Sequence, residues 1–204
     1  MSPITHLLAS WVVAAKTTTN PRDCRLVTLA GVLPDADGLG FFVDMVRNSI
    51  KNTDDFHLYQ NFHHWYLHGI FGALVVSGIL TAFGSQRWRV FLLCLLTFHL
   101  HLLCDLLGSR GPTPGDLWPI YYFGPLTQRW VIFWHHQWRL DGWQNMLITV
   151  VLVFWALWMA SKRNDSVVGV FNRRADRAFL QQLKKWRAAV FREKSPPSPN
   201  GPPA

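Results

Sequence analysis

Glutamate is almost missing from this chain: Glu193 stands alone beside eleven aspartates in 204 residues. Charge of either sign is scarce, at 16%, where soluble domains carry about 25%. That scarcity argues against an ordinary water-soluble globule. Cysteine is sparse too. Cys24, Cys94 and Cys104 fit neither a zinc ribbon nor a disulfide framework. Cys94 and Cys104 fall inside an apolar run, where buried free thiols are expected. No cleavable signal peptide is expected, because no basic stretch precedes the first apolar segment and no small-residue cleavage site follows it. Finally, no apolar run reaches the roughly 20 residues that cross a bilayer squarely.

What is present is apolar and aromatic. Half of the residues are hydrophobic, with eleven Trp and fourteen Phe. Apolar segments cover Ile4–Ala15, Leu26–Leu33, Gly69–Phe83, Val90–Leu107 and Met146–Ala160, with Lys16–Arg25 read as a polar loop. A short amphipathic helix is expected within Gly38–Asn61, from Phe41, Phe42, Met45 and Val46. Gly108–Gly142 is rich in Gly, Pro and aromatics and reads as loop. Each run alone would suit a buried core helix. Taken together with Trp88, Trp143, Trp155 and Trp158 at their ends, they predict membrane helices with interfacial anchors. The expected fold is all-α: a membrane-embedded helical bundle over residues 1–161, a basic amphipathic helix over 162–194 and a disordered Pro-rich tail over 195–204.

The net charge of +8 is unevenly placed, since ten of the twenty Lys and Arg lie between Lys162 and Lys194. If the apolar segments alternate in direction, those ten share one side with Lys16, Arg22, Arg25, Arg87 and Arg89. The other side keeps Arg47, Lys51, Arg110, Arg129 and Arg139. The positive-inside rule then turns the first set to the cytoplasm. In the tail, Ala175, Phe179, Leu183, Trp186 and Val190 recur at spacings of three and four. Residues 173–194 therefore suit an anionic inner leaflet better than nucleic acid.

The same alternation brings four separate clusters to the opposite ends of their helices. They are Thr5-His6, Pro34-Asp35-Ala36-Asp37, His63-His64-x3-His68 and His99-x-His101-x3-Asp105. Imidazole and carboxylate together are ligands for divalent metals. An ionisable group inside an apolar run also marks a functional site. His101 and Asp105, four apart, lie on one helix face and suit two ligands of one metal or an Asp bridging two. His99 points elsewhere and reads as a packing or supporting residue. An extended Asp35-Ala36-Asp37 segment would turn its carboxylates apart, so one is expected to ligate and the other to orient. His57 and His135 carry no such pattern and read as surface residues.

In order and spacing these clusters resemble the bacterial inner-membrane metal-dependent hydrolases, the YdjM-like family. The resemblance runs through Thr5-His6, Leu33-Pro34-Asp35-Ala36-Asp37, His63 and His68, His101-Leu102-Leu103-Cys104-Asp105, and Trp118-Pro119 after Asp116. It covers roughly Met1 to Ala160. More distantly, the order is similar to zinc-dependent phospholipase C. The chain departs from the family's His-Arg-Gly-x-Thr-His-Ser at the third cluster: His64 replaces the Arg and Gly69 the Ser.

The resemblance implies a membrane-bound hydrolase that cleaves a phosphoester of a lipid or lipid-linked substrate. It implies one to three divalent ions, zinc by preference, with His6, Asp35, His68, His101 and Asp105 as ligands. Asp37 or His63 would position the water. His64, Asp116, His136 and Asp141 are candidates for an additional metal, with His135 beside them. Trp118, Tyr121, Tyr122 and Phe123 read as an interfacial belt rather than a substrate rim. A non-enzymatic membrane protein that binds or moves a metal is the alternative, and the oligomeric state is open.

Overall fold

The computed structural model describes residues 1–63 and 65–192. The first helix, α1 (Pro3–Thr17), starts where the Ser2 hydroxyl accepts the Thr5 N–H and Pro3 supplies a helix-ready φ. The chain reverses at Thr18 and Thr19, and α2 (Pro21–Ala30) begins five residues before the apolar run that predicted it. Here Asn20 Oδ1 accepts the Arg22 N–H and Pro21 fills the first helical position. Local capping therefore outweighs the polar composition of this stretch. At the end of α2, a Cβ on Gly31 would sit 1.9 Å from Ser10 Oγ. Only glycine lets α1 and α2 cross so closely.

Leu33–Leu39 is a 3-10 turn rather than an extended segment, and α3 (Gly40–Lys51) and α4 (His57–Phe62) follow. Buried Asp44 on α3 accepts the Tyr59 N–H at 2.8 Å. That bond fixes α4, and the Tyr59 ring stacks on His63 at 4.5 Å. A short α5 (Ile70–Ala82) precedes α6 (Arg87–Gly108). The expected loop then holds a two-residue ribbon that was not foreseen, β1 (Ile120–Tyr121) paired antiparallel with β2 (Val131–Ile132). α7 (Trp143–Lys162), a 3-10 turn at Val167–Val170 and α8 (Arg173–Arg192) complete the described chain. The predicted Pro-rich tail lies outside the described residues.

Length separates spanning helices from the rest. The 22 residues of α6 and 20 of α7 are long and apolar enough to cross a membrane. At 1.5 Å per residue they measure about 33 Å and about 30 Å, matching a hydrocarbon core of about 30 Å. The 13 residues of α5 fall short. α2 and the segment from Leu33 to Lys51 meet at a 48° bend, a broken span or re-entrant pair. Leu96 on α6 and Val151 and Phe154 on α7 are exposed by 53%, 53% and 68%. Apolar surface on this scale needs lipid or a partner to cover it.

The loops sort by end. The Arg89 guanidinium donates to the Thr17 carbonyl, and Asn20 to Ser85 Oγ at 3.2 Å. Arg163 Nη1 donates to the Ala15 carbonyl at 2.6 Å. The cation-rich turns therefore meet at one end, as the alternation predicted. The start of α1, the end of α6 and the start of α7 meet at the other, where Thr5 Oγ1 and Thr149 Oγ1 lie 2.7 Å apart.

α8 is amphipathic, and of its predicted stripe Phe179 and Leu183 pack against the core while Ala175 and Trp186 are exposed; Asp176 and Leu180 are buried beside them. The reason is polar: Asp176 Oδ1 accepts Ser166 Oγ at 2.6 Å and Ser166 N at 3.1 Å. That anchor draws Leu180 into the same apolar core as Met159 and Ala160.

Candidate metal centre

At the end away from the cationic turns, four elements point ionisable side chains at one small volume. α1 supplies His6, the 3-10 turn Asp35 and Asp37, the turn before α5 His68, and the last turns of α6 His101 and Asp105. His6, His68, His101 and Asp105 are all buried. His101 Nε2 lies 3.1 Å from Asp105 Oδ2 and 3.6 Å from Asp35 Oδ1. His6 Nε2 lies 3.1 Å from Asp105 Oδ1, and His68 Nε2 lies 3.6 Å from Asp105 Oδ2. One ligand atom from each of His6, Asp35, His101 and Asp105 fits within 4.8 Å of the others.

The outer nitrogens of two of these rings are already engaged. His101 Nδ1 lies 3.0 Å from the Gly31 carbonyl, which can only accept, so this nitrogen carries the proton. His68 Nδ1 lies 3.0 Å from Asp37 Oδ2 and is fixed in the same way. Both rings turn Nε2 inward, and these two atoms are 3.2 Å apart. A proton on His68 Nε2 lets it donate across that gap; with both rings neutral, two lone pairs would meet there unless a cation lay beside them. The His6 ring stacks on His101 at 3.8 Å, and neither His6 nitrogen has a hydrogen-bond partner. Although His6 Nε2 is close to Asp105, it does not point along a hydrogen bond. Asp35 Oδ2 is likewise buried without a partner. Groups left this way cost stability unless a ligand satisfies them.

Charge balance makes the same demand. Asp35, Asp37 and Asp105 contribute three carboxylates, and among the described residues no Lys or Arg pairs with any of them. Their partners are imidazoles, plus the Met1 amino nitrogen, which contacts Asp105 Oδ1 and lies 2.7 Å from Ser109 Oγ. His68 lies outside the spanning helices. Burial works against its charged form, but hydrogen bonds to Asp105 and Asp37 raise it from 6.5 to about 9. The two carboxylates thus favour a proton on His68. A divalent cation would replace that proton.

Asp37 and His63 form a second group with His68, but the three are bonded to one another: Asp37 Oδ1 lies 2.9 Å from His63 Nδ1. Their arrangement is that of a carboxylate orienting two rings. Asp35 thus faces His101 while Asp37 pairs with His63 and His68, and a 3-10 turn rather than an extended segment separates them.

The additional-metal residues do not assemble among the described residues. Asp116 is exposed and accepts the Thr113 N–H at 2.9 Å, which holds its carboxyl below the ordinary value. Asp141 forms a two-pronged pair with Arg139, which lowers it similarly. His136 packs edge-on against Trp134. None of the three joins either cluster. His64 lies outside the described residues. His99 bonds the Leu95 carbonyl and the Tyr122 hydroxyl, so its role is in packing the loop.

Several participants escaped the sequence. Ser109 donates to Asp105 Oδ1 at 2.9 Å. It follows His101 and Asp105 at the same four-residue interval, and that spacing was a readable signal. Gly31 acts through its carbonyl, which no pattern of side chains reveals. At Gly69 the backbone runs close to the loop, since a Cβ there would lie 2.5 Å from the Tyr122 carbonyl. Trp118, expected in an interfacial belt, instead lines a cavity of about 440 Å³ that opens from Asp35 and Asp105 past His63.

No curated protein and no solved structure matches the chain. The family model described as YdjM inner membrane protein matches residues 1–170, a stretch that contains every cluster residue. The chain therefore belongs to the YdjM inner membrane protein family, and its spanning helices lie in the inner membrane.

Proposed function

We propose that this protein is a metal-dependent hydrolase that cleaves a phosphoester of a lipid or lipid-linked substrate with an activated water. The observation that carries the reading is the pair of inward-facing Nε2 atoms of His68 and His101, 3.2 Å apart among carboxylates that pair with no Lys or Arg among the described residues. Imidazole and carboxylate donors suit zinc. His6, Asp35, His68, His101 and Asp105 would hold it. A zinc ion there would supply a Lewis acid that acidifies water and polarises a phosphoryl oxygen.

The chain's own groups supply the rest. Asp37 keeps His68 in the ligating tautomer and holds His63 at the cavity wall. Asp35 Oδ2, lacking a partner, can accept a proton from an incoming water. His63, which lines the same cavity, can donate its own proton to the departing oxygen and be reprotonated from solvent. No serine or cysteine nucleophile is required. The order His, Asp, His, His-x3-Asp, similar to that of zinc-dependent phospholipase C, supports the phosphoester class.

The positive-inside rule supports a multi-pass topology with the tail in the cytoplasm and the site at the outer face. The exposed Arg174, Arg177 and Lys185 of α8 suit the anionic inner leaflet. Metal transport is less well supported. Trp11, Ala14, Val27, Cys94 and Phe98 belong to one buried apolar core, which does not favour a polar path through the bundle.

The test is a phospholipid and phosphodiester hydrolysis panel with the wild type and Asp105→Ala. Turnover by the wild type alone, with both proteins inserted in the membrane, supports the reading. Turnover by both contradicts it, and metal binding without any turnover transfers the cage to the binding or transport role.

A further inference from the structure

The cavity beside the cage carries a cation, Arg110, that forms no ion pair among the described residues. Arg110 lines it together with Asp35, Asp105 and His63. Its backbone is fixed, since its N–H donates to the Trp138 carbonyl at 3.2 Å and its carbonyl accepts the Leu140 N–H at 2.9 Å. Its side chain is not: Nε is buried without a hydrogen-bond partner, and Arg110 forms no ion pair among the described residues. A buried guanidinium nitrogen left this way is costly and calls for an acceptor. A planar guanidinium favours phosphate or carboxylate, which it can bind through two parallel bonds.

Beyond these groups and Met1, Tyr59 and Ser109, the cavity is largely apolar. Leu39, Phe41, Phe42 and Leu140 line it and are exposed by 59%, 39%, 57% and 51%. One cavity therefore joins a guanidinium near the carboxylate cage to an apolar channel that opens on the surface. We propose that it binds an anionic amphiphile: Arg110 takes the phosphoryl group, and the Leu39–Phe42 face takes one acyl chain. This rests on the hydrolase reading above and names its substrate class.

The test uses the full chain in a neutral detergent with a chelator present, so that binding does not depend on a metal. Dodecyl phosphate and uncharged dodecanol are titrated while tryptophan fluorescence is followed, because Trp118 lines the cavity. Arg110→Gln is expected to weaken dodecyl phosphate binding about tenfold or more and to leave dodecanol unchanged. Arg110→Lys, which keeps the charge but loses the planar fork, should fall between. Equal affinity of wild type and Arg110→Gln for dodecyl phosphate overturns the proposal, as does equal loss for both probes. Failure of the hydrolase reading is a separate result: no turnover, with Arg110-dependent binding intact.

Discussion

Asp37 and His68 form a carboxylate–imidazole pair in which Oδ2 accepts the Nδ1 proton at 3.0 Å. The bond decides which way His68 faces. Its Nε2 is turned inward to within 3.2 Å of His101 Nε2. Because Asp37 also holds His63 at 2.9 Å, one carboxylate sets the cage and part of the cavity wall.

Asp37→Asn tests that role. The amide keeps the shape but removes the charge that fixes the tautomer. Zinc affinity should fall about 10–100-fold, without the complete loss expected for a ligand. Competition with a chromophoric chelator measures it. An unchanged affinity would show that Asp37 does not orient His68.

The metal-free protein should have a pH-dependent stability with a defined sign. Folding raises His68 from 6.5 to about 9. Its contribution is therefore fully present below 6.5 and lost as pH rises through about 9. Thermal unfolding in detergent with a chelator should show that decline across the interval, and saturating zinc should flatten it. A stability that rises over the same interval in the chelated protein would contradict the assignment.

Leu96 tests the membrane assignment. It lies near the middle of α6 and is exposed by 53%. Leu96→Arg should raise the insertion cost by about 2.5–3.5 kcal/mol, as for a cation at mid-bilayer. The membrane-extracted fraction should fall accordingly. Equal yield and equal membrane fraction would mean that this face does not meet lipid.

The sequence made the long helices and the four clusters legible for separable reasons. The apolar runs around Leu96 and Val151 could only be buried in lipid or protein. The four-residue step from His101 to Asp105 fixed a shared face on any regular helix. The start of α2 was hidden because the polar letters of Lys16–Arg25 also spell a cap, Asn20-Pro21. On α8 the predicted Phe179 and Leu183 do pack inward, but Leu180 joins them because of a buried bond, Ser166 to Asp176, that the apolar stripe does not reveal. The partnership of Asp37 with His68 spans 31 residues and exists only once the 3-10 turn has formed. Asp116 and Asp141 carried the right side chains, but each is satisfied locally, by Thr113 and Arg139.

The central claim is that His6, Asp35, His68, His101 and Asp105 hold a divalent ion together. Metal analysis of the purified full chain, wild type beside His101→Ala, tests it most directly. The account predicts zinc bound stoichiometrically by the wild type and lost from the variant, with both proteins inserted in the membrane. A wild type that takes up no metal, or a variant that keeps the same amount, would contradict it.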